Sequence, residues 1–334
     1  MTNTINDVAQ KANVSKATVS RVLNNQGGYS EKTKRKVLEA IKELEYFPSG
    51  IARGLTNKRT HTIGVLLPNL TSSLINEFLN KIESVAHNAG SSVIVCHTES
   101  QGIKTMKYLQ LLHEKRIDGL IMASTALKKE YYDYIVKMKV PLVLLSAYSD
   151  YPVPYVTAND YNAAYTATKY LIQKGHKKIG MISGNEVECI AGNKIPRVEG
   201  FKDALSDHNI FFDDRHIEYG RFSIDDGMTG LSKLIEQIPD LTAIFTENDE
   251  IGMGVLSAAY NSGIKVPEDI SVIGMDDISL CKFMSPPLTS VSLFHSDMAE
   301  KAANIMFEMI ESQAEVKNYI LGHQIVERQS VRSQ

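Results

Sequence analysis

The chain reads as two folds in series: a small all-α head, then an α/β body of parallel sheets arranged in two lobes. Three observations predict this. Apolar residues recur at helical spacing through residues 5–44. From residue 61 onward, short β-rich runs alternate with helical patterns. The body keeps about 270 of the 334 residues, which supplies too many strands for one small sheet. Hydrophobic residues at 43% and charged residues at 22% give enough apolar matter for a core and exclude wholesale disorder. No window approaches 18 uninterrupted apolar residues, so no membrane span is expected.

The head begins with Ile5, Val8, Ala9 and Ala12 at i, i+3, i+4, i+7, one face of a short helix. Asn13 tolerates the left-handed conformation that ends a helix, and Ser15 is a good N-cap for the next. From Lys16 to Asn24, Val19, Val22 and Leu23 share one side. Lys16, Ala17, Thr18, Ser20 and Arg21 are left for the other. Two short helices with a tight turn read as a helix-turn-helix. A third helix is predicted over Glu31–Leu44, capped by Ser30, with Val37, Leu38, Ile41 and Leu44 apolar. Helix pattern alone fits a generic three-helix bundle equally well. The exposed face of the second helix is small, polar and basic, as a major-groove helix must be.

Charge agrees. Residues 1–60 hold 11 lysines and arginines against 5 acids, or +6, which leaves −9 for the remainder of a chain of net charge −3. A basic head on an acidic body points to a polyanionic partner for the head. Between them, Pro48 ends the third helix and Ser49–Leu55 carries two glycines. Glycine costs about 1 kcal/mol per site in a helix interior, so composition alone makes this a plain linker.

Residues Ile5-Asn6-Asp7-Val8-Ala9 and Asn13-Val14-Ser15-Lys16-Ala17-Thr18-Val19-Ser20-Arg21-Val22-Leu23-Asn24 resemble the signature of the lactose-repressor/galactose-repressor family of bacterial transcription regulators. The resemblance continues through the whole chain. It implies that Lys16, Ala17 and Arg21 read bases, Arg21 by a bidentate contact to guanine and Ala17 by a methyl contact. Thr18, Ser20, Asn24, Ser30 and Thr33 match phosphate-holding positions, which fix register without carrying sequence information. Pro48-Ser49-Gly50-Ile51-Ala52-Arg53-Gly54-Leu55 resembles the family's hinge helix, which forms when two chains meet on DNA. Leu55 then matches a minor-groove wedge, with Ala52 and Arg53 beside it. The implied domains are a helix-turn-helix head over 1–48, a hinge over 49–60 and an effector-binding, dimerising body over 61–334.

In the body, strands are predicted at Thr62–Leu67, Ser92–His97, Gly119–Met122, Pro141–Ser146, Lys178–Ser183, Ala243–Thr246, Ile270–Met275 and Thr289–Phe294. Helices are predicted at Leu74–Asn88, Ala163–Lys174, Arg197–Ser206 and Asp249–Ser262. Such alternation means βαβ units and sheets buried on both faces. The resemblance supplies the rest of the architecture: a periplasmic-binding-protein-like body of two Rossmann-like lobes with a ligand cleft between them. Lobe 1 is expected at about 61–160 and 293–322, and lobe 2 at about 161–292 and 323–334. The chain crossings are expected near Asn159–Asn162, Ser292–Phe294 and Gly322–Ile325.

Ligands in such folds sit beyond the carboxyl ends of the strands. The polar residues there are Asn69, Asp160, Arg197, Asn248 and Asp276. By resemblance Asp160, Arg197, Asn248 and Asp276 match effector-binding positions, and Phe222 matches a ring-facing aromatic; Asn69 is a candidate by its place after the first strand alone. The chemistry suits a sugar, since carboxylates accept from adjacent hydroxyls while Arg and Asn donate in a fixed plane. Asp249 and Asp277 are expected to cap helices instead. One departure matters: where the family usually carries Asn-Pro-Phe-Phe, this chain reads Ser72-Ser73-Leu74-Ile75. The missing aromatics weaken a purine sandwich and leave a carbohydrate.

The expected function is therefore a homodimeric, sequence-specific repressor of a carbohydrate-utilisation operon, released from near-palindromic operator DNA by a small sugar or sugar phosphate. Corepressor-dependent and phosphocarrier-dependent regulators of the same family are the alternatives. The carrier needs a basic docking face, and Ser296–Glu311 offers one Lys against four acids. No Gly-rich phosphate loop, Gly-x-Ser-x-Gly or His-Glu-x-x-His points to an enzyme, and neither cofactor nor metal is expected. The N-terminus lacks a basic, then apolar leader, and Cys96, Cys189 and Cys281 are widely spaced. Both suit buried thiols in a cytoplasmic protein.

Overall fold

The computed structural model describes residues 3–23, 26–46, 59–99, 102–184, 195–312 and 317–334. Two units emerge, Met1–His61 and Thr62–Gln334. Asn24, Ala52, Arg53, Leu55 and Cys189 lie outside the described residues.

The head holds α1 (Ile5–Ala12), α2 (Lys16–Leu23) and α3 (Glu31–Glu43). Local chemistry sets each boundary. The Asp7 carboxylate accepts from the Thr4 backbone N–H at 2.6 Å and its hydroxyl at 2.7 Å, closing a capping box. Asn13 turns left-handed at φ 53° and ends α1. Ser15 Oγ accepts from Thr18 N, and Ser30 Oγ from Thr33 N, as the sequence predicts. Val8, Val19 and Val37 are fully buried at the centre of the bundle, flanked by Ala9, Ala12, Val22 and Ala40. Leu38, expected among the apolar positions of α3, is instead 48% exposed, because Val37 and Ala40 face inward on that turn.

The body opens with β1 (Thr62–Leu67), α4 (Ser73–Asn88), β2 (Ser92–His97), α5 (Thr105–Glu114), β3 (Gly119–Ala123), α6 (Lys129–Met138), β4 (Leu142–Leu145) and β5 (Tyr155–Ala158). It continues with α7 (Asp160–Gln173), β6 (Ile179–Ser183), α8 (Pro196–Asp207), β7 (Ile217–Tyr219), α9 (Ile224–Gln237), β8 (Ala243–Thr246), α10 (Asp249–Asn261), β9 (Ser271–Asp276) and β10 (Thr289–Ser292). It ends with α11 (His295–Glu311), β11 (Tyr319–Leu321) and β12 (Gln324–Val326).

Two six-stranded sheets result, in the orders β11-β5-β4-β3-β1-β2 and β12-β10-β9-β8-β6-β7. All pairs are parallel except β10 with β12. Strands β3, β6, β8 and β9 are buried along their whole length, which is why they read as unbroken apolar runs. The chain passes between the sheets after β5, after β10 and between β11 and β12. The fold is thus a helix-turn-helix head with a two-lobed, periplasmic-binding-protein-like α/β body.

Glycine sets one close approach in lobe 2. A Cβ on Gly227 would lie 2.0 Å from the Ile251 carbonyl oxygen, and one on Gly254 would lie 1.9 Å from that of Ile224. Helices α9 and α10 therefore touch backbone to backbone, which only glycine allows. The three-residue strands β7, β11 and β12 escape the sequence reading because they are too short for any period.

Candidate functional site

Strand ends of both lobes face one another across the cleft, and the first residues of the following helices deliver the polar groups. Asp160 opens α7 directly after β5, with Asn159 capping that helix through Asn162 N at 3.0 Å. Arg197 stands in the first turn of α8, behind Pro196. Glu247 and Asn248 follow β8. Asp276 ends β9 with φ at 106°, and Asp277 follows at 56°. Two consecutive non-glycine residues at positive φ make a sharp, strained turn.

Three of the predicted residues meet. Arg197 Nε donates to Asp160 Oδ1 at 2.9 Å, and its Nη2 lies 2.8 Å from the same oxygen. The same Nη2 is 3.8 Å from Asp276 Oδ1. Nη1 donates to the Glu247 carbonyl at 2.5 Å. Burial alone would push the guanidinium pKa down, but Asp160, Asp276 and Glu247 outweigh it and hold it raised.

The other predicted residues are placed less directly. Phe222, itself left-handed at φ 64°, lays its ring over Gly184, where a Cβ would come within 2.3 Å of the ring. The Gly184 N–H in turn donates to Glu247 Oε2 at 2.8 Å. Asn248 is buried, and its Oδ1 accepts from Ile251 N at 2.8 Å as the cap of α10. Its amide NH2 is what remains for a ligand. Asn69 is exposed and accepts from Ser72 N at 3.2 Å, so it shapes the turn before α4 and meets none of the cluster.

The capping expected of Asp249 and Asp277 is not what the structure shows. Asn248 takes the cap, while Asp249 turns inward and accepts from Ser290 Oγ at 2.6 Å and Ile278 N at 2.9 Å. Burial, reinforced by the Asp276 charge, pushes its carboxyl up to about 8. Asp277 pairs with Arg328 at 2.6 Å.

Four contributors were missed in the sequence. Glu247 is 1% exposed, accepts from Ser183 Oγ at 2.5 Å, and is raised by burial. His295, the first residue of α11, sets Nε2 3.1 Å from Asp276 Oδ1, and its Nδ1 is buried with no partner among the described residues. Tyr148 donates to the Ala158 carbonyl at 2.7 Å beside Asp160. Glu250 reaches from lobe 2 and accepts from Ser73 N, at the start of α4, at 3.0 Å. The signal available for Glu247 and Asp249 was three consecutive polar residues, Glu247-Asn248-Asp249, set in otherwise buried surroundings. For His295 none existed, since its contact follows from the crossing after β10.

In the head, Lys16, Ala17 and Arg21 are exposed on one helix, and a Cβ on Gly28 would lie 3.2 Å from Arg21 Nη1. Thr18 and Thr33 are half-buried, each with its hydroxyl against the capping serine, at 2.9 Å for Ser15 and 3.0 Å for Ser30. Ser20 is half-buried on α2.

Comparison with known proteins agrees with both units. Residues 4–49 match the model of the bacterial regulatory proteins of the lacI family. Residues 60–327 match that of the periplasmic binding proteins and sugar binding domain of the LacI family. The chain belongs to the LacI family. It is a DNA-binding transcriptional regulator. A relative, the HTH-type transcriptional repressor PurR of Vibrio atlanticus, is 35% identical over 99% of each chain. The lac repressor dimer bound to operator and the anti-inducer ONPF superposes with a TM-score of 0.86 at 27% identity, covering 99% of this chain and 100% of that one. A complex of the transcriptional regulator CelR with cellobiose gives 0.73 at 26% identity, covering 98% and 99%. Within the LacI family frame, the Asp160–Arg197–Asp276 cluster lies in the unit that matches the periplasmic-binding-protein model, and the exposed face of α2 in the unit that matches the regulatory-protein model.

Proposed function

We propose that this regulator is a cytoplasmic, homodimeric repressor of a carbohydrate-utilisation operon, released from its operator by a small sugar or sugar phosphate held in the cleft. The observation that carries the reading is the Arg197 guanidinium gripped by Asp160 and Asp276 at facing strand ends. That arrangement offers acceptors for adjacent hydroxyls and a planar donor beside them, with the Phe222 face at hand. Asn69 and Asn248 complete the proposed effector set. Covalent catalysis has no part in it.

Lys16, Ala17 and Arg21 read base edges in the major groove, while Thr18, Ser20, Asn24, Ser30 and Thr33 hold phosphates. Ala52, Arg53 and Leu55 act in the minor groove as the paired hinges order on DNA. An effector acts by binding one lobe arrangement better than the other, which biases hinge pairing. Two heads then address half-sites about one helical turn apart.

Fluorescence anisotropy on a labelled palindromic operator at fixed salt, with a panel of sugars, sugar phosphates and purines, tests this. Release by a sugar or sugar phosphate supports an inducer-controlled repressor. Tightening makes the compound a corepressor and reverses the sign. Tight operator binding with no response to any compound removes the proposed effector class.

A further inference from the structure

The charge around the cleft is lopsided, and among the described residues most anchors that an anion would use are already filled. Asp160 and Asp276 pair with Arg197, and Asp276 also with His295, but with no lysine or second arginine among the described residues. Lys104, in the segment that follows β2, is tied to Glu99. Half-buried Glu250 adds a third carboxylate at Ser73, and the charge excess does not rest on Glu247 and Asp249, both raised first of all by burial. One committed guanidinium therefore faces an excess of acidic groups.

Helix N-termini are the other common anion site. Here α7 is capped by Asn159 and carries Asp160 in its first turn. Helix α10 is capped by Asn248, with Asp249 and Glu250 next. Helix α9 is capped by Ser223, with Asp225 and Asp226 next. Helix α4 has no acid of its own in that turn, and Glu250 from the other lobe bonds Ser73 N instead. Each of these four termini already holds an oxygen from this chain's own side chains; α8 has no side-chain cap, but Pro196 removes one of its first N–H groups and Glu199 stands in its first turn.

A second, independent observation concerns hydrogen-bond polarity. The Asp276 carboxylate can only accept, so His295 Nε2 carries the proton it shares. In the neutral ring Nδ1 is then left an acceptor, buried and without a partner among the described residues. Ionised Asp160 and Asp276 likewise only accept, so the cluster around Arg197 is rich in acceptors and calls for O–H donors. A sugar hydroxyl supplies them. A phosphate monoester at neutral pH is largely dianionic and supplies acceptors only.

We infer that the cleft admits an uncharged polyhydroxylated effector, an unphosphorylated sugar or polyol, and rejects the phosphorylated form. This rests on the cleft being the effector site, as proposed above, and narrows the sugar-or-phosphate choice left there. The mechanism of discrimination is repulsive: like charges and mismatched acceptors act against the wrong ligand more than new contacts favour the right one.

Isothermal titration calorimetry on the full chain tests it with matched pairs: ribose and ribose 5-phosphate, glucose and glucose 6-phosphate, fructose and fructose 6-phosphate, cellobiose and cellobiose 6-phosphate. A neutral member is expected to bind, with its phosphate at least about tenfold weaker, a step of about 1.4 kcal/mol. Glu250→Gln, which keeps an amide acceptor at Ser73 and removes the charge, is expected to narrow that ratio. A phosphate that binds as tightly as its parent overturns the inference, as does a panel in which no neutral member binds, or a ratio unmoved by Glu250→Gln. Asp276→Asn separates the two readings. Neutral-sugar binding untouched by it places the ligand outside the cleft and defeats both. A phosphate preference that Asp276→Asn abolishes keeps the cleft as the site and defeats the charge argument alone.

Discussion

The head and the body hold the side chains proposed to carry function in opposite ways. Lys16, Ala17 and Arg21 are exposed, and neither cation has an ion-pair partner among the described residues. Arg197, Asp160 and Asp276 are mostly buried and committed to one another. A surface that reads a duplex keeps its donors free until the duplex arrives. A cleft that senses a small molecule must pre-organise its groups, and the fold bears the cost of unpairing them. Substitutions in the head should therefore change DNA binding without changing stability, and substitutions in the cleft should change both stability and response.

The largest expected effect is at Arg197. Arg197→Ala leaves the buried Asp276 carboxylate and the half-buried Asp160 carboxylate without their shared cation and is expected to cost about 3 kcal/mol of body stability, read from urea midpoints by circular dichroism. Arg197→Lys keeps the charge but loses the fork, and should recover part of that stability without effector response. A stable alanine variant that still releases operator breaks the contrast with the head.

Asp249 gives a pH test on the same floor of the cleft. Its folded-state pKa, about 8, is raised above the ordinary value by burial and the Asp276 charge. The folded state therefore holds a proton that the unfolded chain has lost. That contribution is fully present below pH about 4, declines as pH rises towards 8, and is flat above it. The slope is at most about 1.4 kcal/mol per pH unit. Asp249→Asn cannot ionise, so its stability relative to wild type is expected to improve steadily from pH 5 to pH 8 and then level off. Parallel curves across that range exclude a proton on Asp249.

In the head, Arg21→Ala is expected to weaken operator binding by about 1–3 kcal/mol and relax preference at one base position, with an unchanged melting temperature. Equal loss on operator and non-operator DNA removes the base-reading role, and a fall in melting temperature removes the contrast with Arg197.

The same contrast explains how much was legible in advance. In the head, boundaries are set by neighbours in sequence: Thr4 with Asp7, Ser15 with Thr18, Ser30 with Thr33. Local spacing suffices to read them, although Leu38, one residue beyond buried Val37, faces outward. The parallel strands were legible because burial on both faces makes them continuous apolar runs. The cleft was legible residue by residue only where family resemblance pointed, at Asp160, Arg197 and Asp276. His295 meets Asp276 and Ser73 meets Glu250 through chain crossings, and no local pattern encodes a partner so far along the sequence. Asp249 was read as a cap because strand-end aspartates usually are. Asn248 holds that place, and the glycine at 274, where a Cβ would come 2.2 Å from Asp249 Oδ1, leaves room for the carboxyl to turn inward.

The smallest expected effect lies between the lobes. Helix α4 belongs to lobe 1, yet Ser73 N donates to Glu250 of lobe 2, Leu74 packs against hydrophobic clusters of both lobes, and Phe78 meets His295 edge-on at 5.5 Å. The first two turns of α4 thus touch both lobes. Glu250→Ala removes one charge-assisted bond at a half-buried position, worth about 1 kcal/mol after solvent screening. Because that bond exists only with the lobes together, its loss should appear in the open–closed equilibrium more than in the melting temperature. Effector affinity, once an effector is in hand, is expected to fall about fivefold, since about 1 kcal/mol of closure is withdrawn from binding. A lower melting temperature with unchanged effector affinity makes the Ser73–Glu250 bond a fold contact. In that case the cleft's paired groups, not α4, carry the signal between lobes.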